Sequence, residues 1–315
     1  MKPKKRRDLF RPLWSAAVAA AAALVLLDTF VIPRRLTVTA AAAATTAAAA
    51  STAVATTADT AAGTDTAEIT AAAVTDSSYD DGNISISITT TTVADTQVYI
   101  ADITLSDISY LQTALAQGTY GRNIKETTSA MAQENNAILA INGDYYGFRN
   151  SGYVLRNGVL YRDTSSGSED LAILSDGSFY IFDEDEVTAE QVQAKGALQI
   201  FSFGPALITD GAISVSENEE VGQATASNPR TAIGCISPLH YIIIVSDGRT
   251  SESAGLSLYE LASLFAQYGC TDAYNLDGGG SSTLWFNGSV INNPVGGSAG
   301  NGSSERKVSD IVYIG

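Results

Sequence analysis

Tyr241-Ile242-Ile243-Ile244-Val245-Ser246-Asp247-Gly248-Arg249 is the stretch that most constrains the fold. Its first five residues are continuously apolar and mostly β-branched, which is typical of a strand buried on both faces. Asp247-Gly248 would suit a hairpin turn, but residues 249–253 are too polar to form a returning strand. A polar loop that leaves a buried strand is a common location for a functional site.

The rest of the globular pattern combines many short strands with few helices. Alternating Ile84, Ile86 and Ile88 predict one strand and residues 98–103 another. Helices are predicted at residues 106–117, 128–136, 188–196 and 257–268. Hairpin turns are predicted at Asn157-Gly158, Asp176-Gly177, Asp210-Gly211 and Asn287-Gly288. The predicted fold class is α+β, a strand-rich mixed sheet with a few helices in a single globular domain.

The charge of the chain is divided unevenly. Of its 18 Lys and Arg residues, eight lie in residues 1–36 beside only two acidic residues, so residues 37–315 hold ten basic and 32 acidic residues. An acidic body of this size repels polyanions, and nucleic-acid binding requires clustered Lys and Arg. We therefore expect no nucleic-acid partner. With one histidine and two cysteines, the chain also lacks the ligands for a His-based or four-Cys zinc site.

The first 36 residues have the pattern of a membrane anchor. Six basic residues precede an apolar run from Leu13 to Ile32, and about 20 apolar residues span a bilayer. The basic residues are expected on the cytoplasmic side, which predicts a single-pass membrane protein with its body outside the cytoplasm. A cleaved signal peptide is the alternative. Residues 37–79, nearly all Ala and Thr, predict a flexible linker, and residues 80–315 the globular domain.

Four polar clusters stand at the ends of predicted strands. They are Asn142–Tyr146, Asn228–Thr231, Asp247–Arg249 and Asn275–Thr283. If these strands are neighbours, the loops meet at one edge of the sheet, where they bring together three carboxylates, an arginine, an amide and a glycine-rich backbone.

Each cluster has a chemical use. Gly278, Gly279 and Gly280 would let backbone N–H groups approach an anion, with Ser281 and Ser282 as further donors. Arg230 could bind a phosphate in bidentate fashion. Asp144, Asp247 and Asp277 could serve a sugar-transfer reaction, which commonly uses paired carboxylates. No cofactor is predicted, although these aspartates could hold Mg²⁺ or Ca²⁺ as hard oxygen ligands.

Other titratable residues give weaker indications. His240 begins a strand and is not expected to be a catalytic base. The acidic run 183–186 is expected to be a solvated surface, since it lacks the glycine-centred loop of a calcium site. Cys235 and Cys270 fall on strands near the clusters, where either a disulfide or two free thiols is compatible with the sequence.

The clusters, taken in order, resemble the phosphodiester glycosidase family. The matching stretches are Ile141–Tyr146, Phe203–Gly211, Asn228–Gly234, Val245–Arg249, Asn275–Thr283 and Glu305–Asp310. The resemblance is taken to cover roughly residues 83–315, the globular part of the chain. The predicted anchor resembles the bacterial, exopolysaccharide-related branch, which implies a bacterial cell-surface protein. Lys307 departs from the family pattern, because many relatives have proline there.

The resemblance implies the family's fold and the hydrolysis of a sugar, N-acetylglucosamine or similar, linked through its anomeric carbon to a phosphodiester. It favours Asp277 and Asp247 for the carboxylate chemistry, with Asp144 and Glu305 as further catalytic candidates. The implied substrate-binding residues are Asn142, Gly143, Arg230, Thr231, Gly278, Gly279, Gly280, Ser281, Ser282 and Arg306.

Two other functions are compatible with the same residues. A non-catalytic binder of phosphorylated cell-wall glycans would use the same arginine and glycine-rich loop, but carboxylates around a phosphate are unfavourable unless chemistry needs them. A tethered structural surface protein would leave the four clusters without a role.

Overall fold

The computed structural model describes residues 18–27, 31–36, 72–219, 227–296 and 304–315. Short strands dominate this part of the chain. The helices are α1 (residues 18–27), α2 (Thr128–Glu134), α3 (Ala189–Ala194) and α4 (Leu258–Gln267). Short 3₁₀ turns occupy Ile108–Tyr110, Ala116–Gly118, Tyr146–Phe148 and Gly279–Ser281.

The strands are two to ten residues long. They are β1 (Arg34–Arg35), β2 (Ala73–Val74), β3 (Ser78–Asp80), β4 (Ile84–Val93), β5 (Thr96–Leu105), β6 (Leu111–Leu115), β7 (Gly121–Arg122), β8 (Leu139–Asn142), β9 (Val154–Arg156), β10 (Val159–Arg162), β11 (Glu169–Leu174), β12 (Phe179–Asp183), β13 (Ala197–Phe201), β14 (Ala206–Thr209), β15 (Ala212–Ile213), β16 (Arg230–Ser237), β17 (His240–Ser246), β18 (Asp272–Asn275), β19 (Leu284–Phe286), β20 (Ser289–Val290) and β21 (Asp310–Ile314).

Three sheets build the domain. The largest has nine strands in the order β15-β14-β18-β16-β17-β5-β4-β3-β2. Two five-stranded sheets have the orders β20-β19-β8-β21-β6 and β10-β9-β13-β11-β12, and β1 pairs separately with β7. The strand-rich α+β domain is confirmed. All pairings between these named strands are antiparallel, so the predicted mixed sheet is resolved into separate antiparallel ones.

Strand β17 is buried on both faces, as its sequence predicts. Tyr241, Ile243 and Val245 point into the central core that joins the nine-stranded sheet to its neighbours. Ile242 and Ile244 point to the opposite face, which α4 covers. Successive side chains of a strand alternate between faces, so a continuous apolar run fills two layers of core at once.

Helix α4 forms where its sequence predicts. The Ser257 hydroxyl accepts a hydrogen bond from the Glu260 N–H, the Glu260 carboxylate accepts from the Ser257 N–H, and Gly269 follows the helix end with φ +74°. This capping box satisfies N–H groups that an isolated helix leaves unpaired. Helices α2 and α3 and the four hairpins are likewise confirmed.

The predicted helix at residues 106–117 is wrong. The segment holds two 3₁₀ turns on either side of β6. Strand β6 pairs with β21 over its whole length, and Leu111 and Thr113 alternate inward with period two. The apolar spacing that suits a helix face therefore arises from a strand between turns, and tertiary pairing overrides the local preference.

The amino-terminal region contacts the domain directly. Arg34 and Arg35 pair with Arg122 and Gly121, and Asn123 Nδ2 donates to the Ile32 carbonyl at 3.2 Å. No helix within the described residues is long and apolar enough to cross a membrane. Most of the predicted linker, residues 37–71, and much of the predicted anchor lie outside the described residues, so the division at residues 36 and 79 stays a prediction.

Candidate active site

Loops from all three sheets meet around Asp277. Antiparallel pairing of Arg230 with Ser246 and of Ala232 with Asn275 places the start of β16 beside the ends of β17 and β18. The chain then passes from β18 through Asp277 to β19 in a five-stranded sheet. Phe203 comes from the loop after β13 in the third sheet. The predicted convergence of polar loops is therefore present, between sheets rather than at one sheet edge.

Two cavities share the wall that holds Asp277. The larger, of about 600 Å³, is termed the arginine cavity because it is lined by Arg149, Arg230, Arg249 and Arg306, with Tyr145, Phe203 and Asn228. The smaller, of about 300 Å³, is termed the lysine cavity because it is lined by Lys125 and Lys307, with Phe148, Asp144 and Val308. Tyr145, Asp277 and Arg306 line both. Volumes of this size are typical of small-molecule sites.

Asp277 is a partly exposed carboxylate with one strong hydrogen bond. Ser281 Oγ donates to Asp277 Oδ2 at 2.6 Å. Burial raises the pKa of Asp277 to about 6, against the opposing effects of that hydrogen bond and of the Arg306 charge. A carboxyl group with a pKa near neutrality can exchange protons during a reaction, which makes Asp277 the leading catalytic candidate in the site.

The guanidinium groups of the arginine cavity are oriented by hydrogen bonds. Arg249 Nε and Nη2 donate to Asn228 Oδ1 at 3.0 and 2.6 Å, and Arg230 Nε donates to the Leu256 carbonyl at 3.0 Å. Arg249 has φ +59°, a conformation that is costly for a non-glycine residue. The chain therefore holds this residue in a strained backbone position at the cavity wall.

Arg149 is fixed by aromatic neighbours. Its guanidinium carbon lies 5.2 Å from the Phe203 ring centroid and 5.9 Å from that of Tyr145, and Nη1 donates to the Ser202 carbonyl at 3.0 Å. Cation–π contacts of this kind hold a guanidinium in place without neutralising its charge.

The lack of side chains in the glycine run makes room for two arginine side chains. A Cβ on Gly279 would lie 3.1 Å from Arg249 Nη2, and one on Gly280 would lie 2.7 Å from Arg306 Nη2. The Gly279 N–H donates to the Pro229 carbonyl of a neighbouring segment, and the Ser281 and Ser282 N–H groups donate to the Gly278 and Gly279 carbonyls within the turn. The predicted anion nest is thus largely occupied by internal bonds, and the absence of side chains lets two guanidinium groups lie against the turn.

Several predicted substrate-binding residues tie the strands together. Asn142 Nδ2 donates to the Asp277 carbonyl at 2.6 Å, and its Oδ1 accepts from Thr231 Oγ1 at 2.9 Å. The Asn142 and Thr231 side chains are fully buried. Gly143 leaves room for the Asp310 carboxylate, which a Cβ would meet. Asn142, Gly143 and Thr231 do not line either cavity, so their role in the geometry is to hold Asp277 in position. Ser282 is also buried.

Asp247 and Glu305 face structural partners. Asp247 Oδ1 accepts from the Asn293 N–H at 2.8 Å and from Asn292 Nδ2 at 3.3 Å, and Tyr99 Oη donates to Oδ2 at 3.4 Å. Burial raises the pKa of Asp247. Glu305 accepts from the Ser129 N–H at 2.9 Å and from Ser129 Oγ. Neither residue is among those that line the arginine or the lysine cavity, and their catalytic roles stay predictions.

Asp144 belongs to a buried charge network. Arg156 Nη2 lies 2.8 Å from Oδ2 of both Asp144 and Asp310, and all three side chains are at most 2% exposed. Asp144 Oδ1 also accepts from the Tyr146 N–H at 2.9 Å. Burial raises the pKa of Asp310, against the opposing charge of Arg156. Asp144 reaches the lysine cavity as one wall, with its charge already paired.

The remaining titratable candidates lie elsewhere. His240 Nε2 is 2.8 Å from Asp102 Oδ1, on the neighbouring strand. Cys235 and Cys270 are buried free thiols rather than a disulfide, and burial raises the pKa of each to about 12. Within the described ranges no group of three or more His, Cys, Asp or Glu side chains could hold a metal ion, so Asp144, Asp247 and Asp277 do not form one.

The prediction that residues 183–186 form a solvated surface is wrong for Glu184. This side chain is 4% exposed and accepts hydrogen bonds from the Tyr153 N–H at 2.8 Å, from Ser202 Oγ at 3.3 Å and from the Ser166 N–H. Its burial follows from the strand that precedes it, which the charge pattern alone did not indicate.

Ten residues that line the cavities were missed as individual candidates. They are Lys125, Tyr145, Phe148, Arg149, Phe203, Asn228, Arg249, Lys307, Val308 and Ser309. Tyr145, Phe203 and Arg249 lie inside the stretches quoted above, so extending each motif to its neighbouring aromatic and basic residues would have found them. No local sequence pattern indicates a functional role for Lys125 or Arg149. The only signal is that Lys and Arg residues are scarce in residues 37–315.

Comparisons with known sequences agree with one another. The profile of the phosphodiester glycosidase family matches residues 135–315. The SPbeta prophage-derived uncharacterized protein YomE of Bacillus subtilis is 34% identical over 203 residues, 62% of this chain and 30% of that protein. Human N-acetylglucosamine-1-phosphodiester alpha-N-acetylglucosaminidase is 30% identical over 190 residues, 54% of this chain and 36% of the human protein. The chain thus spans about a third of the length of these relatives.

Solved structures share the fold. The catalytic domain of zebrafish N-acetylglucosamine-1-phosphodiester alpha-N-acetylglucosaminidase, auto-inhibited by its pro-peptide, superposes with a TM-score of 0.58 at 22% identity. That match covers 74% of this chain and 82% of the zebrafish chain. A hypothetical protein from Synechocystis matches with a TM-score of 0.57 at 15% identity, over 74% of this chain and 62% of that one.

Proposed function

Because the chain belongs to the phosphodiester glycosidase family, we propose that it hydrolyses a sugar joined through its anomeric carbon to a phosphodiester. The observation that carries this proposal is the position of Asp277, a carboxylate of raised pKa on the shared wall of two cavities, beside four guanidinium groups. The human relative's name makes N-acetylglucosamine the first sugar to test.

The arginine cavity suits the phosphate side of such a substrate. Cleavage at the anomeric carbon releases a phosphate monoester, which is a good leaving group, so stabilising its developing charge matters more than protonating it. Arginine binds phosphate oxygens in bidentate geometry and keeps its charge at all relevant pH values. Arg249 and Arg306, which lie against the turn that carries Asp277, are the arginines proposed to hold the departing phosphate.

Asp277 is proposed to act at the anomeric carbon. In its ionised form the carboxylate stabilises an oxocarbenium-like centre and either attacks it or activates water. Ser281, which donates to Oδ2, fixes the carboxylate orientation. Asp144, paired with Arg156, is proposed as a positioning residue for the loop that carries Tyr145. Asp247 and Glu305 are given no step in this proposal, and their carboxylates accept hydrogen bonds from Asn293 and Ser129.

The test uses the full chain with UDP-N-acetylglucosamine and methyl-phospho-N-acetylglucosamine, and detects free sugar by mass spectrometry. We expect release by the wild type and a loss of at least about a hundredfold in Asp277→Asn. The wild-type kcat/KM should rise as the pH passes through about 6, where Asp277 ionises. Glycan binding without sugar release from any phosphodiester would instead support the alternative function, a non-catalytic binder of phosphorylated cell-wall glycans.

We also propose that the protein acts on cell-surface glycans or exopolysaccharide, exported and anchored through residues 13–32. The support is the apolar run and the basic residues before it. Fractionation of the expressing cells, with protease added to intact cells, tests this. Recovery of the full chain in the cytosol, inaccessible to protease, would contradict it.

A further inference from the structure

The cations of the globular region are concentrated at the two cavities. Residues 37–315 contain ten Lys and Arg residues. Six of them line the arginine or lysine cavity: Lys125, Arg149, Arg230, Arg249, Arg306 and Lys307. A seventh, Arg156, forms ion pairs with Asp144 and Asp310. In a region with 32 acidic residues, this distribution creates a local positive potential that a single phosphodiester charge does not require.

The lysine cavity adjoins the arginine cavity along Tyr145, Asp277 and Arg306. Its cations are Lys125, Lys307 and the shared Arg306, and its carboxylates are Asp277 and Asp144. Asp144 is paired with Arg156, which it shares with Asp310. Among the residues that the structure describes, neither lysine makes an ion pair. Lys125 is held by the Phe148 ring, with Nζ 5.2 Å from the centroid. Both lysines therefore line this cavity without an ion pair to a described carboxylate.

The same cavity has aromatic residues that suit a sugar. Tyr145 and Phe148, which line it, stack with ring centroids 4.5 Å apart and an interplanar angle of 14°, so an aromatic pair lies on the same cavity wall as Asp277. Small-molecule sites typically combine such a wall with a few polar groups that fix orientation. With the phosphate in the arginine cavity and the scissile bond at Asp277, the sugar falls on the side of Lys125 and Lys307.

We propose that the lysine cavity is a second anion subsite, and that the sugar of the substrate carries its own carboxylate or phosphate group, bound by Lys125 and Lys307. This proposal rests on the proposed function for the assignment of the two cavities. It makes the preferred substrate an acidic sugar linked through a phosphodiester, rather than a neutral one.

The test measures binding, so that it does not depend on turnover. The full chain carrying Asp277→Asn is titrated by calorimetry with glucose 1-phosphate, glucuronic acid 1-phosphate and glucose 1,6-bisphosphate. We expect at least one acidic sugar to bind about tenfold more tightly than glucose 1-phosphate, the effect of a charged hydrogen bond in a partly exposed site. The probe that gains identifies the group as carboxylate or phosphate.

The lysines are tested in the same background. Adding Lys125→Met and Lys307→Met should reduce the preference for the acidic sugar to within about twofold, whereas Lys195→Met, on the distant Tyr180 ring, should leave it intact. Equal affinities for the neutral and acidic probes, or a preference that survives the double substitution, would overturn the proposal. Sugar release by the wild type without that preference would refute this inference alone, and the preference without release from any phosphodiester would refute the proposed function alone.

Discussion

Asp277 stabilises the folded protein less than a neutral side chain of the same shape would. Burial raises its pKa from 3.8 to about 6, so the folded state binds the proton more tightly than the unfolded state. Its contribution to the free energy of unfolding is therefore full below about pH 4 and is lost as the pH rises through about 6. Such a penalty is common where a residue is selected for chemistry.

Asp277→Asn should therefore raise stability while abolishing activity. At pH 7.5 we expect a melting temperature equal to or slightly above that of the wild type, because the partly buried charge is removed while Asn can still accept from Ser281. The difference should vanish below about pH 4, where both side chains are neutral. A variant that melts lower than the wild type at pH 7.5 would show that the charge is stabilising.

Asp247 provides the contrasting case. Its carboxylate accepts from the Asn293 N–H, Asn292 Nδ2 and Tyr99 Oη. Asp247→Ala would leave the Asn293 N–H, Asn292 Nδ2 and Tyr99 Oη without this acceptor, so we expect the free energy of unfolding to fall by about 1–3 kcal/mol, measured by urea denaturation. The kcat of the folded variant should stay within about tenfold of the wild type. A loss of a hundredfold or more without loss of stability would restore Asp247 to the mechanism.

At the scale of elements, the turn Gly279–Ser281 works together with Arg306. A Cβ on Gly280 would lie 2.7 Å from Nη2 and 2.9 Å from Nε of Arg306, so Gly280→Ala should displace the guanidinium. We expect kcat/KM to fall about tenfold in Gly280→Ala and in Arg306→Ala, and the double variant to lose no more than the worse single one.

Additive losses in that cycle would contradict the coupling between turn and arginine. A melting curve for each variant is the control, because a Cβ on Gly280 would also lie 2.9 Å from the Gly296 Cα. A variant that is folded but impaired separates the effect on Arg306 from a general loss of structure.

Elements with a local cause were predictable from the sequence, and contacts between distant residues were not. The β17 run and the Ser257–Glu260 capping box depend on residues close in the chain. The segment 106–117 was mistaken for a helix because its strand is specified by β21, about 200 residues later. Likewise, Asp277 stands out by its motif, whereas the stacking of Arg149 on Phe203 joins two loops that no local pattern relates.

At the scale of the whole molecule, a cationic site in an acidic body should make catalysis sensitive to salt. Six of ten cations line the two cavities of a region with 32 acidic residues. We expect kcat/KM for an anionic substrate to fall several-fold when NaCl rises from about 20 to about 300 mM, since screening shortens the range of the attraction. Arg306→Ala should flatten the dependence. A kcat/KM independent of salt would show that the cations act only through direct contacts with the bound substrate and not by long-range attraction.

The shared wall between the two cavities has a consequence for what happens after the bond breaks. Tyr145, Asp277 and Arg306 line both spaces, while the other named lining groups belong to one or the other. If the substrate binds as we propose, cleavage at this wall leaves the sugar on one side of it and the phosphate on the other. Neither product then has to wait for the other to depart, so release follows no fixed order. Free sugar and free phosphate ester should occupy the protein together, and the two should inhibit it independently rather than exclude each other.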